Sequence, residues 1–115
     1  MSLTGQRQEF LDALDTVDEV NAFAYRPAAP KTGDAWPLIQ DMERQTALNF
    51  DVTWRVVVIL PDDERKASDW FEAHHEPIAE ALEEAFAYVE RIEPGLVATE
   101  GGDLQAMFII VRREA

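Results

Sequence analysis

Residues 52–60, VTWRVVVIL, constrain this chain more than any other stretch, being nine residues without Gly or Pro and rich in β-branched side chains. They predict a strand near the middle of a sheet. Val52, Trp54 and Val56 alternate with Thr53 and Arg55, so the first half has one wet face. From Val56 on both faces are apolar, so the second half is covered on both sides. That change requires a layer lying across the strand's end, and residues 62–89 are the candidate.

The remaining elements complete or cover this sheet. Leu3, Phe10, Leu11, Leu14 and Val17 recur at spacings of three and four, with a wet face at residues 6–9 and 12–15, which predicts an amphipathic helix capped by Ser2 or Thr4. Residues 20–25 read as a short strand with Phe23 and Tyr25 on one face. Residues 26–34 hold two prolines and a glycine and no periodicity; residues 26–35 are taken as a mobile, comparatively basic arm. Trp36-Pro37 opens a second strand, with Trp36, Leu38 and Met42 on one parity and Asp41, Glu43 and Gln45 on the other. These strands and the central one read as an antiparallel meander.

Residues 62–89 carry the strongest helical pattern. Trp70, Phe71, His74, Ile78, Ala81, Leu82 and Ala85 share one face, and Asp69, Glu72, Glu76, Glu80 and Glu83 the opposite one. Asp62, Asp63 and Glu64 suit the positive end of the helix dipole. The apolar stripe keeps its phase through Pro77, which argues for a kink rather than an end, with two shorter helices meeting near His75 as the alternative. Residues 87–99 and 104–112 read as two further strands, with Pro94-Gly95 suggesting a bulge or bend and Gly101-Gly102 a hairpin turn. The expectation is one α+β domain spanning residues 1–115. Its antiparallel or mixed sheet has about five strands in the order α-β-β-β-α-β-β, with the long second helix packed across it.

Composition narrows the chemistry. The chain of 115 residues has no cysteine, which excludes disulfides and thiolate sites, and no apolar run long enough for a membrane span. Its N-terminus lacks a secretory pattern, which makes cytoplasm the default compartment. A formal charge of −13 repels phosphates and argues against sequence-specific DNA binding. His74-His75-Glu76 lacks the second ligand of a zinc-protease helix, because Pro77, Ile78 and Ala79 follow. Adjacent histidines on a helix also diverge by about 100°. Ser2 and Ser68 lie in no nucleophile motif, and no phosphate loop precedes a helix. Residues 62–84 hold nine acids and two bases. Like charges four apart cost helix stability, so the row serves solubility or meets a basic surface on another chain.

The ordered elements, the extended loop and the GDAWP stretch at 33–37 resemble the tail terminator proteins of long, non-contractile-tailed bacteriophages. The resemblance implies a structural virion protein without catalytic residues, metal or cofactor. It implies a ring, typically of six copies, that caps the tail tube, ends tail elongation and offers the head-docking surface. Implied partners are further copies of itself, the tail tube protein and the head–tail connector protein, with genomic DNA passing through without specific binding and no membrane involved. The implied location is the head-proximal end of the tail in the virion, and the host cytoplasm during assembly. Carried over by element, Arg26, Lys31 and Trp36 would contact partners, and Asp69, Glu72, Glu76 and Glu80 would form an inter-subunit or lumen face. Small connector and neck adaptor proteins of the same viruses share closely similar folds, which leaves that role open. Two readings from other classes also stand: a small enzyme or ligand-binding domain with a pocket near His74, and an adaptor binding a basic protein through the acidic helix.

Overall fold

A computed structural model describes residues 3–85 and 87–114; the cap proposed at Ser2 lies outside them. The element order is α1 (Leu3–Leu14), β1 (Asn21–Ala22), β2 (Asp34–Arg44), β3 (Phe50–Ile59), α2 (Glu64–Glu84), β4 (Tyr88–Thr99) and β5 (Gly102–Glu114). The five strands form one mixed sheet in the order β1-β2-β3-β5-β4, which puts the apolar run 52–60 at its centre. This is the α+β arrangement the sequence implied.

The two faces of β3 belong to different cores. Val52, Trp54, Val56 and Val58 point to one side, where they meet Phe10 and Leu14 of α1 and Ala67, Ile78, Ala81 and Leu82 of α2. Val57 and Ile59 point to the other side, into a smaller cluster with Trp36, Val97 and Ala106. Both helices thus cover the same face. The second face is closed by the connection between β1 and β2, which reaches the β4–β5 turn. There Arg26 Nη2 donates to the Ala98 carbonyl, and Ala28, Ala29 and Pro30 face Thr99, Glu100 and Leu104. The layer assigned from sequence to residues 62–89 supplies only half of the cover.

That connection is not the hairpin loop the meander requires. β1 pairs with β2 in parallel, Asn21 opposite Asp34 and Ala22 opposite Ala35. A parallel pair needs a crossover rather than a tight turn, which accounts for the length of the loop. Its return is fixed by Gly33, whose φ is +88° and where a Cβ would lie 2.2 Å from the Glu19 carbonyl oxygen. Only glycine tolerates both conditions.

α1 is shorter than its apolar pattern and less regular. Thr4 lies within the helix rather than at its cap. Gln6, expected on the wet face, is fully buried, and its Oε1 accepts from Trp54 Nε1 at 2.9 Å. Phe10 meets the same indole edge-on, ring centroids 5.3 Å apart. In α2, Asp63 caps the N-terminus by accepting from the Lys66 amide at 3.1 Å. The helix continues through Pro77 to Glu84, because burial of Ile78, Ala81 and Leu82 outweighs one missing hydrogen bond.

Each long outer strand carries a bulge. In β2 the register shifts between Ile39 and Asp41, and in β4 between Val89 and Arg91. The extra residue in β2 splits the expected parity: Trp36, Leu38, Asp41 and Glu43 share one face, and Ile39 and Met42 the other. Pro94 and Gly95, read from sequence as a bulge or bend, form no bulge and pair in register with Met107 and Ala106. Gly95 is required by packing instead, since a Cβ there would lie 2.1 Å from the Phe108 ring. At the β4–β5 turn Gly102 takes the positive φ, +117°. No described helix is long and apolar enough to cross a membrane.

Candidate functional site

The sheet end that carries the β2–β3 hairpin is built differently from the end under the arm. Within β2, Asp34–Pro37 are buried and Leu38–Arg44 are all exposed. Leu38, Ile39 and Met42 keep 42%, 42% and 44% of their surface, and Leu48 at the hairpin tip keeps 91%. β1 pairs with β2 only as far as Ala35. Beyond it, Arg7 Nη1 donates to the carbonyls of Ala24 and Pro37, at 2.6 and 2.8 Å, so α1 seals one further position of the edge. From Ile39 onward no described strand lies outside β2. Unpaired edge amides beside exposed apolar side chains are the usual mark of a surface that meets another chain.

Arg7 has a double role at this boundary. Its guanidinium lies 4.7 Å from the Tyr25 ring and 5.2 Å from the Trp54 ring, between the arm and the core. Nothing in its sequence spacing distinguished it from a solvent-facing base, and only the pairing of β1 with β2 brings it to the edge.

The residues singled out from sequence fall into three places. Arg26 and Lys31 lie exposed on the arm, where Arg26 holds the β4–β5 turn and the Lys31 amide donates to the Asp34 carboxylate at 2.9 Å. Trp36 is 1% exposed in the second core. Its indole cannot touch a partner while that core is intact, which corrects its assignment as a contact residue. Asp69, Glu72, Glu76 and Glu80 are all exposed along α2. They do not converge on one cleft: Glu72 borders a groove of about 420 Å³ beside Phe71 and Pro94, and Glu80 borders one of about 360 Å³ beside His74 and Asp18. Among the described residues, none of the four forms an ion pair within 4 Å.

His74 is already engaged. It stacks on Trp70 with centroids 3.8 Å apart, its Nδ1 lies 2.8 Å from the Trp70 carbonyl, and its Nε2 lies 3.6 Å from Glu19. His75 makes the corresponding contact with the Phe71 carbonyl at 3.0 Å. The two rings therefore serve separate neighbours, and no cluster of three His, Cys, Asp or Glu side chains suited to a metal occurs among the described residues. The groove beside His74 is open, and Asp18, Glu80 and Glu84 are its acidic lining.

Charge divides along the same layers. Residues 3–19 and 62–84 carry 14 of the 23 acids and three of the ten bases. Arg55, Arg91 and Arg112 lie on the face of the sheet away from the helices. There Arg55 lies 5.2 Å from the Phe108 ring and Arg112 5.8 Å from the Tyr88 ring. No protein-family model matches the sequence, and no curated protein matches it.

Proposed function

We propose that this chain is a structural virion protein that acts by binding alone, forming a ring that caps a phage tail tube and presents the surface to which the head docks. The observation that carries the reading is the β2–β3 hairpin, an extension of the sheet with exposed Leu38, Ile39, Met42 and Leu48 and, among the described residues, no outer strand. A chain that invests a projecting, apolar, edge-open hairpin in its fold needs another polypeptide to cover it. The element order agrees with the one the resemblance implies. The acidic helical layer suits a wall past which DNA moves without adhering, since like charges repel at short range. In this reading Arg26, Lys31 and the hairpin meet partners, and Asp69, Glu72, Glu76 and Glu80 face a neighbouring subunit or the lumen.

The test is sedimentation velocity of the purified chain up to millimolar concentration, with negative-stain images of the largest species. Closed rings with a central hole are expected. A chain that remains monomeric throughout, or that forms compact particles without a hole, overturns the ring.

A further inference from the structure

The molecule carries an apolar knob at one end and an apolar hole at the other. The knob is the β2–β3 turn, where Leu48 keeps 91% of its surface, the largest share of any large apolar side chain among the described residues. The hole is the groove of about 420 Å³ between α2 and the sheet, lined by Leu60, Ala67, Phe71 and Pro94, with Ser68 and Glu72 among its polar residues. Leu96 lies opposite Gln105 of the same groove in register and extends the apolar surface, 60% exposed. β3 separates knob from hole. Phe50 opens that strand beside the turn, and Leu60 follows its last residue, Ile59. Ten residues at about 3.3 Å each set the two roughly 30 Å apart. A copy cannot fill its own groove with its own turn, but a second copy can.

Charge favours that occupant. With a net charge of −13, most surfaces of two copies repel each other. Residues 45–50, QTALNF, hold no charged side chain. Arg44 at their base has no carboxylate within 4 Å among the described residues. Its Nη1 donates to the Ala47 carbonyl at 2.7 Å and its guanidinium lies 4.8 Å from the Phe50 ring. A guanidinium has five N–H donors, so capacity for an anion is left. Glu72 at the groove is likewise without an ion-pair partner. The arm is also free of acids at 26–33, but it offers no apolar side chain larger than proline, and Arg26 ties it to its own sheet. The turn alone combines a large exposed apolar side chain with a cation.

We propose that the β2–β3 turn of one copy seats Leu48 in the groove beside Phe71 and Pro94 of the next copy, with Arg44 reaching Glu72. The contact is heterologous, because knob and hole are different surfaces of the chain. Repeated from copy to copy, it closes into a ring when the rotation per copy divides a full turn, and otherwise runs on as a filament. This contact rests on the ring reading above and names its joining surfaces.

Two variants of the full chain test it by sedimentation velocity up to millimolar concentration. Leu48→Asp spoils the knob and leaves the groove; Ser68→Trp fills the groove from its own lining and leaves the knob. Both positions are exposed, so circular dichroism should stay unchanged. Burial of one leucine side chain shifts an association constant at least about tenfold, and each variant alone should associate more weakly than the wild type by that factor. An equimolar mixture holds one intact knob and one intact groove, so it should form a one-to-one dimer and no larger species. A mixture no stronger than its components, or either variant associating as well as the wild type, overturns the contact. Rings visible by negative stain in Leu48→Asp alone overturn the contact and leave the ring reading standing. Wild-type filaments with a dimer in the mixture keep the contact and overturn the ring; wild-type monomers at every concentration overturn both. As a second arm, Leu48→Cys and Ser68→Cys are made separately, in a chain with no native cysteine. A short bis-maleimide should join them only when the two are mixed. A cross-link within either variant alone, or none in the mixture, overturns the contact.

Discussion

Residues 34–37 and 38–44 belong to one strand, yet the first four are buried and the last seven are exposed. Composition does not separate them. Leu38, Ile39 and Met42 are as apolar as Ala35 and Trp36, and both halves contain acids. What differs is the cover. The first half has β1 beside it, the arm on one face and helices on the other; among the described strands the second has only β3, along its inner edge. Hydrophobic burial is a property of a position with its neighbours in place.

Substitutions can break or sharpen this contrast. The largest effect is expected for Trp36→Ala, which should cost about 3–5 kcal/mol in urea denaturation because it empties the second core. A loss below about 1 kcal/mol would show that the arm does not seal that end. Arg7→Met keeps the bulk of the side chain and removes the donors to Ala24 and Pro37. It should cost about 1.5–3 kcal/mol and extend the open edge back to Pro37, read as faster amide exchange in β1. Unchanged exchange there would move the boundary between the two halves elsewhere.

Gly95→Ala tests packing rather than cover. Its Cβ would collide with the Phe108 ring, and about 1–3 kcal/mol of stability should be lost. Adding Phe108→Ala should relieve the clash, so the double variant should lose less than the two single losses added together. Additive losses would mean that the ring is not what excludes a side chain at this position. The smallest effect is expected for Met42→Ser in the exposed half, within about 0.5 kcal/mol for the isolated subunit. A larger loss in dilute monomer would mean that the hairpin is held by contacts within its own chain.

Much of the fold was legible in the residues. The nine-residue apolar run, the phase of the stripe through Pro77 and a glycine-bearing turn between the last two strands, one residue earlier than 100–103, follow from local rules, because strand, helix and turn preferences act over a few neighbouring residues. So did the exclusion of a zinc-protease site, which needs only the spacing of His75, Glu76 and the residues after Pro77. The failures share a cause. Gln6 looked wet because its partner, Trp54, lies 48 positions away. The arm looked like a hairpin loop because the parallel direction of β1 depends on where Gly33 meets Glu19 and Ile59. Trp36, carried over from the resemblance as a contact residue, is instead covered within the chain, in a cluster with the distant Val97 and Ala106.

The sequence by itself determined which segments are helix and strand, that the sheet has an apolar centre, and that acids concentrate on the helical layer. Those properties are summed over local spacing and composition. Only the tertiary structure decided which apolar residues are covered, where each edge strand bulges, and which edge amides lack a partner. Burial and pairing depend on neighbours far apart in the chain. The exposed Leu38–Arg44 half of β2, on which the functional reading turns, is therefore visible only once the strands are placed side by side.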